Sequence, residues 1–262
     1  MIWKEISGNW VLATKQKPLG IIHFLGGAFV ATAPHVTYRL LLEALAEKGY
    51  IVIATPFVNT FDHDAIAQQV LLNFERAMIR LEERGILGNG YLPIYGIGHS
   101  MGCKLHLLIG SRPKVERAGN IFISFNNYAA RDAVPFIEQF NTAFTNSQLA
   151  VEFVPSPAQT NDLVREYYNV RRNLLIKFTS DTIDQSVGLS EILRERFNDM
   201  VTMQIIAGNH LTPLGQDVKW QAGRDFNPLD AIGQWFKQEV YRDLNLLKSI
   251  ILLWLNPLSP PV

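Results

Sequence analysis

Short apolar runs and longer amphipathic runs alternate along almost the whole chain, and this alternation constrains its fold most. The runs 20–25 (GIIHFL), 50–55 (YIVIAT), 91–97 (YLPIYGI), 118–125, 174–179 (LLIKFT) and 201–207 (VTMQIIA) have strand length and are apolar nearly throughout. Between them, 36–48 gathers Tyr38, Leu41, Leu42 and Leu45 on one helical face, and 64–84 does so with Ile66, Val70, Leu71, Phe74, Met78 and Leu81. A strand that is apolar on both faces must be covered on both faces, and parallel strands joined through helices achieve this. The expectation is an α/β fold with a mostly parallel central sheet, helices on both faces, and all 262 residues in one domain. The run 10–14 (WVLAT) can add a leading strand, and 230–253 reads as a closing amphipathic helix.

The segment 126–172 interrupts the alternation. It holds no apolar strand long enough for the sheet, but carries Phe136, Phe140, Phe144, Phe153, Tyr167 and Tyr168 among polar residues. An excursion of this size between two strands reads as an inserted lid or cap, and the plainer alternative is two surface helices.

Gly98-His99-Ser100-Met101-Gly102 joins the 91–97 run to the apolar helix start 101–109. A serine between two glycines at a strand-to-helix turn has the layout of a nucleophile elbow. The flanking residues must be small, or side chains would collide with strand and helix. The plainer reading is a serine N-cap in a glycine-rich turn.

A serine hydroxyl needs a base to take its proton, and the base needs a carboxylate to fix its tautomer. In open parallel sheets such groups gather at the C-terminal ends of strands. The run 174–179 leads directly into Asp181, with Asp184 three residues on as an alternative acid, and 201–207 leads into Gly208-Asn209-His210. Asp181 is preferred because it lies nearer the strand end; either aspartate could instead cap the helix that follows. The other histidines compete poorly. His99 lies inside the turn and is expected to point away from the hydroxyl. His106 is in the next helix, His35 and His63 lie near helix starts, and His23 lies within a strand.

The order Ser100, Asp181, His210 resembles that of the α/β-hydrolase superfamily, and the resemblance covers most of the chain. It implies that fold and a Ser-His-Asp triad with an acyl-enzyme. It also implies an oxyanion hole. One donor would be the backbone N–H of Met101, the other that of Gly27 or Ala28 in the loop Leu25-Gly26-Gly27-Ala28-Phe29-Val30. That loop is similar to the H-G-G-G-F-V loop of lipases and esterases, with Leu25 in place of the histidine and Ala28 in place of the third glycine. The acid turn FTSDTID lacks the family's usual glycine. FLGGAFV, GHSMG and SDTID together resemble a poorly characterised branch of the superfamily from photosynthetic lineages, which implies no assigned substrate.

Composition narrows the partners. Lys and Arg number 24, as do Asp and Glu, so no electrostatic argument favours nucleic acid. The single cysteine, Cys103, supports neither a disulfide framework nor a zinc site. The N-terminal residues lack a secretory pattern, and no run reaches membrane-spanning length. The expectation is a cytoplasmic or plastid-stroma-like serine esterase, lipase-like enzyme or thioesterase. It needs no cofactor and no metal, and acts on a small acyl ester or thioester. Acyl transfer by the same triad and a non-catalytic binding protein on the same fold are the alternatives. Leu244, Leu246, Leu247 and the run 249–255 make the C-terminal helix strongly apolar. It reads either as packed on the sheet or as a peripheral membrane contact.

Overall fold

The computed structural model describes residues 1–14, 16–130, 152–214 and 237–258. Phe136, Phe140 and Phe144, and the start of the 230–253 helix, lie outside these residues.

One sheet of eight strands organises the described chain, in the order β1-β2-β4-β3-β5-β6-β7-β8. The strands are β1 Lys4–Ile6, β2 Asn9–Leu12, β3 Gly20–Leu25, β4 Tyr50–Ala54, β5 Ile94–His99, β6 Gly119–Ile123, β7 Asn173–Phe178 and β8 Val201–Ile206. From β4 to β8 every neighbouring pair is parallel, while β1/β2 and β2/β4 are antiparallel. The leading strand thus becomes a hairpin. Ser7 at φ 51° and Gly8 at φ 78° form its two-residue turn, and two left-handed residues match the twist of paired strands. The run 91–97 enters the sheet later and leaves it later than its composition suggests. Pro93, which has no N–H, stays outside the strand with its carbonyl bonded to Ile21 N–H, and β5 continues to His99.

Seven α-helices occur among the described residues: α1 Pro34–Thr37, α2 Arg39–Glu47, α3 His63–Glu83, α4 Met101–Gly110, α5 Pro157–Tyr167, α6 Ser186–Phe197 and α7 Lys237–Leu255. Alternation along the strands sends Ile22, Phe24, Val52, Ile97, Ile121 and Ile176 to the face under α2 and α7. Residues of α3, α4, α5 and α6 cover the opposite face. Helix α5 starts in a capping box, in which Ser156 Oγ accepts from Gln159 N–H and the Gln159 side chain accepts from Ser156 N–H. Its Val164, with Tyr168 and Val170 beyond it, packs against Cys103, Leu107, Phe122 and Leu175, so this part of 126–172 belongs to the helical layer. Helix α7 buries the stripe Leu244, Leu247, Ile251 and Leu255 on the sheet and leaves Leu246 and Leu253 exposed. Arg172 lies over the Trp254 ring at 3.9 Å, which clamps the end of this helix. No helix among the described residues is long and apolar enough to cross a membrane.

The order places a topological switch beside β3. From β3 the chain passes to β4 on one side, then returns to β5 on the other. The C-terminal ends of β3 and β5 therefore open a crevice between diverging connections, where open α/β sheets bind ligands.

Candidate active site

Ser100 stands at that crevice, between the last residue of β5 and the first of α4, at φ 55° and ψ −121°. A serine in this region is strained, and the local packing enforces the strain. A Cβ on Gly98 would lie 2.6 Å from the backbone of Gly102 and Cys103, and one on Gly102 would lie 2.1 Å from Leu25 O. Both glycines are thus required by backbone against backbone. Cys103 is buried below the turn, its thiol donating to Gly98 O and Ile123 O.

The structure brings Ser100, Asp181 and His210 together. His210 Nε2 is 3.1 Å from Ser100 Oγ, and His210 Nδ1 is 2.8 Å from Asp181 Oδ2. Because Nδ1 faces a carboxylate it carries the proton, leaving the Nε2 lone pair to accept from the serine hydroxyl. Burial pushes the Asp181 pKa up, but the His210 hydrogen bond and the Ile183 N–H outweigh it and hold the carboxyl below its ordinary value. Asp184 is engaged elsewhere. It accepts from Ser186 N–H and Ser186 Oγ and sits 3.4 Å from Lys177 Nζ, so its carboxylate is committed to the first residue of α6 and to Lys177.

The β3 loop lies against the serine: a Cβ on Gly27 would be 3.3 Å from Ser100 Cβ. Of the two donors expected there, one is already engaged. Gly27 N–H already donates to Tyr38 Oη at 2.8 Å, so Gly27 drops out as an oxyanion donor. Ala28 N–H makes no hydrogen bond among the described residues. Met101 N–H, at the first position of α4, has no partner within its helix. Met101 follows Ser100 directly, and Ala28 follows Gly27, which lies against the serine, so both belong to the segments that border Ser100.

His99 is buried and locked rather than idle. Its Nε2 is 2.9 Å from His210 O and its Nδ1 is 2.7 Å from Tyr38 Oη. A carbonyl only accepts, so Nε2 carries the proton and Tyr38 donates to Nδ1. Burial, then the neighbouring His210, lowers the His99 pKa to about 3. A chain of three hydrogen bonds thus runs from the Gly27 loop through Tyr38 and His99 to the backbone of His210.

Asn126 is the residue that pattern reading misses. Its Nδ2 donates to Ser100 Oγ at 2.9 Å from beyond β6. No motif marks it in the sequence; the one available signal is its position after a strand adjoining β5. The remaining histidines pack: His35 stacks on Trp10, His23 on Phe74 and His63 on Phe153, and His106 is buried. Phe153 and Tyr168 are likewise buried, whereas Phe29 and Leu211, next in chain to Ala28 and His210, are exposed. Among the described residues no group of three His, Cys, Asp or Glu side chains could hold a metal ion.

Comparison with known proteins gives the fold. The chain superposes on fluorophosphonate-binding serine hydrolase F of Staphylococcus aureus with a TM-score of 0.60 and 14% identity, covering 95% of this chain and 92% of that one. For a soluble variant of monoglyceride lipase from Saccharomyces cerevisiae the values are 0.62, 13%, 99% and 95%. For carboxyl esterase 2 from Tuber melanosporum they are 0.58, 13%, 92% and 80%. The fold is that of the α/β-hydrolases. No curated protein matches the chain. A family model described as "Protein of unknown function (DUF1350)" matches residues 2–257.

Proposed function

The chain belongs to the family described as protein of unknown function (DUF1350), and for it we propose a serine hydrolase that cleaves a carboxylic ester or thioester through an acyl-enzyme. One observation carries the reading: Ser100 Oγ, His210 Nε2, His210 Nδ1 and Asp181 Oδ2 form a continuous hydrogen-bonded line at the C-terminal edge of the sheet.

In this mechanism Ser100 Oγ attacks the substrate carbonyl as its proton passes to His210 Nε2. Asp181 holds the imidazole orientation and stabilises the imidazolium. Met101 N–H and Ala28 N–H receive the oxyanion. Collapse expels the alcohol or thiol, which takes the proton from His210. Water, deprotonated by His210, then attacks the acyl carbon and releases the acid and Ser100. The exposed Phe29 and Leu211 beside the donor loop and the base favour an apolar acyl group. Serine hydrolases and esterases among the structures of similar fold agree with this chemistry. Acyl transfer to an alcohol or amine uses the same first half-reaction.

A fluorophosphonate probe with a panel of acyl p-nitrophenyl esters and thioesters tests the reading. Wild-type protein labels at Ser100 and turns over at least one substrate, while Ser100→Ala does neither. Folded wild-type protein that stays unlabelled, or a Ser100→Ala variant with full activity, overturns it.

A further inference from the structure

Building on the acyl-enzyme reading, we propose that Asn126 is a further catalytic residue, whose amide acts on Ser100 Oγ chiefly when that oxygen leaves the acyl group. Two facts fix the polarity of the contact. The Ser100 hydroxyl gives its proton to His210 Nε2, since His210 Nδ1 is protonated against Asp181. The group 2.9 Å away on Asn126 must therefore be a donor, and Nδ2 is the donating end of the amide. Ser100 Oγ is held on one side by the base and on another by an N–H.

The position of Asn126 separates it from the oxyanion donors. Those come from the β3 loop and the start of α4, whereas Asn126 follows β6, and β3 and β6 lie on opposite sides of β5. Asn126 accordingly faces the serine from the side of β7 and β8, which carry the acid and the base. It is also braced. Gln185 N–H donates to Phe125 O at 2.7 Å, and Gln185 Oε1 accepts from Asn127 N–H at 2.6 Å, so one side chain and its own backbone grip the residues before and after Asn126. Asn127 Nδ2 adds a bond to Pro157 O. Gln185 directly precedes α6, at the end of the turn that bears Asp181. The donor to Oγ and the carboxylate behind the base thus share one anchor.

The timing follows from the chemistry of Oγ. In the free enzyme Oγ is a hydroxyl oxygen and a good acceptor, so the amide stabilises the ground state as well as the transition state of attack, and the net effect on acylation is small. In the acyl-enzyme Oγ is an ester oxygen and a poor acceptor. When water has added, the C–Oγ bond breaks, its electron pair moves to Oγ, and the proton on His210 Nε2 transfers there. The Asn126 N–H meets that electron pair as it forms, and its stabilisation appears only in the transition state. Removal of Asn126 should therefore slow deacylation about ten-fold while leaving acylation nearly unchanged.

The test is pre-steady-state turnover of p-nitrophenyl butyrate by full-length wild type, Asn126→Ala and the near-isosteric, uncharged Asn126→Leu, with fluorophosphonate labelling and melting curves alongside. Both variants are expected to keep a near wild-type acylation burst and labelling rate, while the linear phase slows and KM falls with kcat. Loss of labelling and burst in proportion to the linear phase, or an unchanged ratio of the two rates in a folded variant, overturns the proposal. Wild-type protein that shows neither labelling nor burst overturns the acyl-enzyme reading itself, a result distinguishable from failure in the Asn126 variants alone.

Discussion

Removing one oxygen from Tyr38 is the sharpest probe of how the site is held. The ring packs edge-on against Phe24 with centroids 4.6 Å apart and fills the space over Gly26, where a Cβ would approach it to 2.8 Å. Phenylalanine keeps that packing. It loses the acceptor for Gly27 N–H and the donor to His99 Nδ1, bonds of 2.8 and 2.7 Å. Both partners are buried, and each left unsatisfied costs about 2 kcal/mol, so Tyr38→Phe should be destabilised by about 4 kcal/mol. For a domain of this size that lowers Tm by about 10 °C. The kinetic consequence is separate. Gly27 is next to Ala28, a proposed oxyanion donor, and His99 holds the carbonyl of His210. Looser placement of both should lower kcat about ten- to hundred-fold with KM little changed. Calorimetry and ester turnover on the same preparation measure both effects. A Tyr38→Phe protein that melts within about 2 °C of wild type and keeps full kcat would refute the reasoning, because two buried hydrogen bonds at the site would then have no consequence.

Asp181→Asn should reduce kcat about ten-thousand-fold, because the amide favours the wrong imidazole tautomer. Asp184→Ala should instead retain fluorophosphonate labelling and lower Tm, because Ser186 N–H and Lys177 lose their acceptor, at a cost of about 1 kcal/mol; the reverse pattern would reassign the acid. Acid should unfold the protein early. Burial lowers the pKa values of His63, His99 and His106 to about 3, and that of His23 well below its ordinary 6.5. Folded protein then binds fewer protons than the unfolded chain between about 3 and 6.5, so stability is full above about 6.5 and falls as pH drops, by about 1.4 kcal/mol per pH unit for each histidine. Melting temperatures measured from pH 7.5 to 4.5 should fall continuously, and a flat profile would contradict the buried neutral histidines.

The parallel layers were readable because a strand apolar on both faces has few other destinations. That Ser100, Asp181 and His210 meet at one edge is readable because a parallel sheet delivers strand ends there, so chain order ranks the candidates. Distance from the strand end ranks Asp181 above Asp184, and Asp181 is the aspartate in contact with His210. Strand β1 is not legible because KEI shows no apolar run; it is an edge strand with one buried residue, placed by the Ser7-Gly8 turn. Tyr38 looked like core from its helical spacing, and it is core, but its hydroxyl bonds groups 11 and 61 residues away. Asn126 depends on Gln185, whose side chain reaches back 58 residues to Asn127. Such long-range polar matches leave no period in a sequence. His99 was expected to stand clear of the hydroxyl; what could not be anticipated was that both its nitrogens are committed, which removes it as a competing base.

On the proposed mechanism, the groups that meet the oxyanion are main-chain N–H groups, those of Ala28 and Met101. A peptide hydrogen survives any substitution except proline. Position 101 answers to the core, where Met101 is buried, whereas Phe29, next in chain to Ala28, is exposed and can change without loss of a donor. On the proposed mechanism, relatives of this chain can diverge in the side chains around Ser100 while the donors stay encoded in the backbone they share.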